Sequence, residues 1–272
     1  MDHLKFVSRK TLLVVSVSCF VLALTILSVI TLASFSVSPI IGAPMIAASS
    51  TKSVNWSGYA ITGPDGSVTK AEASWIVPAI VGACPSKNHY SAFWVGIDGY
   101  SSKTVEQTGT DSDCQGGVAV YYAWYEFYPA VSHVIAKITV HPGDVISAQV
   151  TFASGEFKAT IKDVTTGVSV TKTSTITAER SSAEFIAEAP CCTASGGILP
   201  LANFGVVSFG KDSTSVTATC FATISGTTGP ISSFSSSSIH EITMETSGGT
   251  IKAQPSALSS DGTSFTITWH FA

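Results

Sequence analysis

From Val54 to Phe271 the sequence breaks into short runs rich in Val, Ile, Thr and aromatic residues, each ended by Gly, Pro, Asp or Asn. This rhythm restricts the fold more than any other feature. The runs cover residues 54–61, 68–77, 91–98, 104–109, 117–128, 133–140, 145–153, 156–163, 168–176, 182–188, 202–209, 214–222, 239–245, 249–254 and 263–271. Pro142-Gly143-Asp144 and Thr165-Thr166-Gly167 supply turn chemistry between neighbours. No long segment places its apolar residues at helical period. Only 12% of residues are charged, and blocks of Glu, Lys, Leu and Ala that favour helices are missing. Many short strands at such spacing predict an all-β domain, a large sandwich or jelly roll.

Ahead of the strands lies a different kind of segment. Lys5, Arg9 and Lys10 precede an unbroken uncharged run from Thr11 to Ala33. A membrane-spanning helix needs ~20 apolar residues, whereas a signal-peptide core is shorter, ~7–15. The run is therefore expected to form one apolar helix, serving as a cleaved signal or as a membrane anchor, with the basic end in the cytoplasm. Both readings export the rest of the chain. The expected organisation is 1–34 as signal peptide or anchor, 35–53 as a linker and 54–272 as the β domain. Beyond the first ten residues the chain carries 17 acidic and 11 basic residues, a net −6. No basic stripe is present, which argues against a nucleic-acid partner. Sparse paired carboxylates leave little stability to lose in acid, so the composition permits an acidic working environment.

Period-two alternation sorts the polar residues onto faces. Trp94, Gly96 and Asp98 share one face of their run, and Val105, Gln107 and Gly109 share one face of the next. Tyr122, Trp124, Glu126 and Tyr128 stand together, as do Glu184, Ile186 and Glu188. An amide between glycines, near Trp and acids, fits a lined cleft; a solvated hairpin fits the same residues. An aromatic face with one acid suits a ligand, because Tyr and Trp combine apolar area with a polar handle; sheet-to-sheet packing explains it as well. Glu184 reads either as an exposed strand residue or as a positioned acid/base.

Other signatures are missing. There is no Gly-x-Ser-x-Gly elbow. His240-Glu241-Ile242-Thr243-Met244 lacks the second histidine of a zinc helix. Asp111-Ser112-Asp113 is too short for a calcium loop. Neither a metal nor a cofactor is expected. Cys84, Cys114, Cys191, Cys192 and Cys220 follow the apolar run, and five cannot all pair within one chain. The expected pairs are Cys84–Cys114, and Cys220 with Cys191 or Cys192.

Taken together, several stretches resemble the glutamic peptidase (eqolisin) family. They are Asn55-Trp56-Ser57-Gly58, Ser74-Trp75-Ile76-Val77-Pro78, Trp94-Val95-Gly96-Ile97-Asp98-Gly99, Gln107-Thr108-Gly109-Thr110-Asp111, Ala123-Trp124-Tyr125-Glu126-Phe127-Tyr128-Pro129, Ala183-Glu184-Phe185-Ile186-Ala187-Glu188 and Ala202-Asn203-Phe204-Gly205. They occur in the family's order and cover most of residues 54–271. Phe185 departs from the family, which carries Trp there. The resemblance implies a concanavalin A-like sandwich of two large antiparallel sheets and an acid endopeptidase acting on polypeptides. It implies a catalytic pair at Gln107 and Glu184. Trp94, Trp124, Glu126 and Tyr128 would line the substrate cleft, with Asp98 and Asp111 supporting it. A monomer is expected. The competing expectation is a carbohydrate-binding or glycoside-hydrolysing sandwich, with Glu126 and Glu184 as the acid pair.

Overall fold

The computed structural model describes residues 48–191 and 197–272. The expected apolar helix over 11–33 lies outside the described residues. Among them no helix is long and apolar enough to cross a membrane. They form seventeen strands: β1 (Ser49–Ser53), β2 (Trp56–Thr62), β3 (Val68–Ile76), β4 (Ala92–Ile97), β5 (Val105–Gln115), β6 (Val118–Tyr128), β7 (His133–Val134), β8 (Val145–Ala153), β9 (Glu156–Asp163), β10 (Ser169–Ser174), β11 (Ser182–Glu188), β12 (Val206–Gly210), β13 (Phe221–Ile224), β14 (Thr227–Pro230), β15 (Ile239–Glu245), β16 (Ile251–Pro255) and β17 (Ser264–Trp269). One short helix, α1 (Lys211–Thr214), and a 3-10 turn at Ile231–Ser233 complete them.

The strands make two layers. Across the front, β1, β15, β2, β11, β4, β5, β6 and β7 lie side by side in that order. Behind them β3 is flanked by β12 and β13 on one edge and by β8, β9 and β10 on the other. The ladder from β15 through β16 and β17 to β12 joins the layers into one continuous sheet. All pairings are antiparallel except β1 with β15.

Alternation explains the back layer. In β9, Phe157, Ala159, Ile161 and Asp163 point inward, while Lys158 and Lys162 face water. The front centre differs, since β4 is buried along its whole length and β11 over all but Glu188. One face of these strands meets the back layer and the other forms the floor of a cleft. The main core holds Trp75, Phe93, Phe185, Phe209 and Phe265, and Phe209 stacks on Phe265 at 5.0 Å between ring centroids. Burying each such side chain stabilises the fold by roughly 1.5–3 kcal/mol. A second, smaller cluster lies on the cleft side and includes Trp94, Trp124, Ile186 and Ile242.

Several expectations differ from the structure. β1 lies inside the stretch expected to be a linker, and its backbone is held by β15. The run at 133–140 keeps only a two-residue strand, although Ile135, Ile138 and Val140 still bury their side chains. The run at 214–222 is interrupted, because Ser215 and Cys220 adopt left-handed φ values of 61° and 53° that no strand can contain. Cys84 and Cys114 are bonded as expected. Cys220 is free and buried, which corrects its expected pairing with Cys191 or Cys192. The reason is position: Cys220 sits in the main core beside β3, whereas Cys191, itself disulfide-bonded, lies at the rim of the front cleft.

Candidate active site

Residues directly opposite one another on neighbouring strands point to the same face. One such row crosses the front layer through His240, Ala60, Glu184, Gly96, Gln107 and Glu126. Glu184 and Gln107 therefore face one side with only Gly96 between them. Two strand spacings separate their backbones by ~9.5 Å. Gly96 keeps the space between them open. A Cβ there would come within 3.1 Å of the Trp94 ring and 3.2 Å of the Gln107 Cβ. Gly109, on the next row, lets Trp94 approach, since a Cβ would stand 2.7 Å from that of Trp94.

Gln107, Asp111, Tyr122, Trp124, Glu126 and Glu188 border one cavity of about 130 Å³. Gln107 donates through Nε2 to Glu126 Oε2 at 2.6 Å, and its Oε1 is buried without a hydrogen-bond partner. An amide nitrogen carries two hydrogens, so one remains for another acceptor. Burial raises the Glu126 carboxyl, and the Gln107 hydrogen bond offsets part of that rise.

Glu184 does not border this cavity. It is fully buried, and neither carboxylate oxygen makes a hydrogen bond of ordinary geometry. Burial pushes its carboxyl well above the usual range. The Ser182 hydroxyl and the Tyr100 N–H offset part of this, while the charges of Asp98 and Glu106 add to it. Asp98, also buried, accepts hydrogen bonds from the N–H groups of Arg180 and Ser181 at 2.6 and 2.8 Å. It therefore pins the segment entering β11 instead of lining the cavity.

The other expected residues fall in distinct places. Trp94 is a buried floor residue that donates to Glu188 Oε2 at 2.8 Å and meets Trp56 edge-on. Asp111 accepts from Trp124 Nε1 at 2.6 Å, and its Oδ2 lies 2.8 Å from Tyr122 Oη. Tyr128 is 48% exposed, opposite Val105, beside the cavity and not within it. Sequence reasoning did not single out Glu188, Asp113 or Glu106 as site residues. Glu188 shares the face of Glu184 four positions on, which was the available signal. Burial raises its carboxyl to about 7 despite the Trp94 donor. Glu106 faces the opposite side of β5 from Gln107, and burial together with the Asp98 charge raises it to about 8. No cluster of His, Cys, Asp and Glu among the described residues is arranged to hold a metal ion. A glycosidase pair at Glu126 and Glu184 fits poorly, because three strand spacings, ~14 Å, separate their backbones with Gln107 between.

The sequence profile of the Peptidase A4 family matches residues 54–237. The chain belongs to that family. Among curated proteins it is 32% identical to aspergillopepsin-2 of Aspergillus niger over 180 residues, which are 58% of this chain and 62% of that protein. It is 38% identical to scytalidopepsin B of Scytalidium lignicola over 140 residues, 49% of this chain and 51% of that one. The matches thus span less than two thirds of either relative. Among solved structures, scytalido-glutamic peptidase with a transition state analog inhibitor superposes with a TM-score of 0.64 at 28% identity. That superposition covers 80% of this chain and 98% of the other. The all-β architecture of this peptidase A4 domain agrees with its structural neighbour.

Proposed function

We propose that this member of the peptidase A4 family is an exported acid endopeptidase whose catalytic pair is Gln107 and Glu184. The observation that carries the reading is the row Glu184–Gly96–Gln107, which aims an acid and an amide at one face across a residue without a side chain. Family membership and the likeness to a peptidase holding a transition state analog support peptide hydrolysis as the reaction. The apolar run at 11–33 and the Cys84–Cys114 disulfide support export to an oxidising compartment.

Glu184 acts as general base on water and then as general acid toward the leaving amine. Its carboxyl is sealed here, and burial is the main cause of its raised pKa. Admission of water with the substrate reverses that cause, so the carboxyl ionises in acid when the cleft opens. The second Gln107 N–H donates to the oxyanion that develops on the carbonyl, a contact typically worth ~10²–10³ in rate. An amide keeps this donor at every pH, whereas a carboxyl donates only when protonated. Glu126 holds the amide in orientation, and Trp124 with Tyr128 offers apolar surface to the peptide.

Digestion of a denatured protein substrate from about pH 2 to 7 tests this. Glu184→Gln and Gln107→Ala should each lose at least ~10²-fold in kcat with the fold intact. Absence of acid proteolysis by the parent, or full activity in Glu184→Gln, would falsify the assignment.

A further inference from the structure

Next to the proposed pair, one hydroxyl bridges two acids. Asp111 and Asp113 alternate on β5 and point to the cleft face; Tyr122 stands opposite Asp111 on β6. Tyr122 Oη lies 2.8 Å from Asp111 Oδ2 and 3.0 Å from Asp113 Oδ2. A phenol carries one hydrogen and can donate to one carboxylate only. Both contacts become hydrogen bonds only if a further proton resides on one of the two acids.

The surrounding donors decide which acid holds it. Asp113 also accepts from the Ser91 N–H at 3.0 Å and from Gln115 Nε2 at 2.9 Å. Asp111 has only Trp124 Nε1 besides the phenol. Asp111 also faces Glu188 across Ala92. The ionised acid is therefore Asp113, and the proton sits on Asp111 Oδ2 and is donated to Tyr122 Oη. None of the hydrogen bonds to either acid comes from a cationic group. Glu126 on β6 and Glu188 on β11 are the other carboxyls bordering this cavity, Glu184 lies sealed on the same face, and His89 lies opposite Cys114, on the reverse face.

We infer that Asp111, Tyr122 and Asp113 form a proton-sharing bridge that positions the Trp124 wall of the cleft only while one extra proton is bound. Tyr122 and Asp113 are thus positioning residues, acting through Asp111 and Trp124 on the substrate. The direction of the titration agrees. Burial and the Asp113 charge hold Asp111 well above the usual carboxyl range, and burial raises Asp113 to about 6. As pH rises the extra proton leaves, two buried charges face each other, and the wall loosens. The cleft is then assembled in acid by its own binding wall, independently of the ionisation of Glu184. This inference rests on the peptidase reading for its consequence in catalysis, but not for the bridge itself.

The test uses the full chain and two variants, Asp113→Asn and Tyr122→Phe. Near-UV circular dichroism reports the indole environment, and peptide cleavage gives KM and kcat from about pH 3 to 8. The parent should show a step in the near-UV signal as pH rises, with KM increasing over the same interval. In Asp113→Asn the new amide donates to Tyr122 Oη, and the phenol donates to ionised Asp111. No extra proton is needed, and the Asp113 charge that helps raise the Asp111 carboxyl is gone, so the step should move down by at least one pH unit or vanish. Tyr122→Phe should remove the step and hold KM at every pH about tenfold above the parent's value in acid, with kcat within about threefold of the parent. A step in Asp113→Asn at the parent's pH overturns the inference. If that variant does not fold, a step of parental size and position in Tyr122→Phe overturns it. A parent that cleaves no peptide yet shows the step, shifted in Asp113→Asn, would sink the peptidase reading and leave the bridge standing.

Discussion

Gly96 is the residue on which the proposed pair depends. It has ordinary backbone geometry for a strand, so its role is the space it leaves beside Gln107 and Trp94. Gly96→Val is expected to push branched carbons into that space, turning aside the Gln107 amide or the Trp94 ring. Overpacking of this kind costs roughly 1–3 kcal/mol of stability, yet kcat/KM should fall by at least ~10²-fold, because one displaced oxyanion donor alone loses that much. Thermal melts beside kinetics check this; near-parental kcat/KM in a folded Gly96→Val protein would count against the row as the reaction centre. Gln107 stood out in the sequence because an amide between two glycine-bearing positions has few structural uses. Nothing local in the sequence marked Glu106, which lies one residue away and turns its carboxyl to the opposite side of the strand.

At the level of strands, β11 places Glu184 and is held from both flanks by β2 and β4. Its entry is fixed by Asp98, a residue with φ of 71° at the end of β4 that captures the N–H groups of Arg180 and Ser181. Asp98→Ala leaves two N–H groups without their acceptor and should destabilise the fold by roughly 3 kcal/mol. It should also lower kcat more than it raises KM, since β11 carries the proposed general base and not the Trp124 wall. Denaturant unfolding with steady-state kinetics measures both. A variant as stable as the parent would show that the tether is dispensable. β11 was readable as a strand from its alternation, but its neighbours were not. β11 lies between β2 and β4, although more than 80 residues separate it from β4 in the chain.

For the molecule as a whole, the buried acids set how stability varies with pH. Asp113, Glu188 and Glu106 have folded-state values raised to about 6, 7 and 8. In an unfolded chain such groups titrate near ~4. Between ~4 and these folded values the native state binds more protons than the unfolded one, so stability falls as pH rises. Each such proton contributes a slope of roughly 1.4 kcal/mol per pH unit. Asp261, lowered to about 2 by the Thr263 and Ser259 hydroxyls, acts in the opposite sense between ~2 and ~4, but it is exposed and its effect is small. The melting temperature is therefore expected to be highest near about pH 4 and to drop steadily toward pH 8. A melting temperature that stays level or climbs over that interval would show that these acids are not buried in solution as they are here.

Local chemistry was enough to establish the all-β class, most strand positions and the face on which each polar residue lies. Alternation, turn residues and β-branched runs act over a few neighbours, and the chain displays them directly. It placed Glu184, Ile186 and Glu188 together, and likewise Tyr122, Trp124 and Glu126, before any pairing was known. Register and strand order belong to the tertiary structure, because they depend on which strand closes against which after long loops are spent. Only that pairing put Gly96 between Gln107 and Glu184, sealed Glu184 from water and left Cys220 in the core away from Cys191. The stretch from Trp94 to Asp111 thus supplies the amide and the gap beside it. The acid arrives from a distant strand whose place no local pattern records.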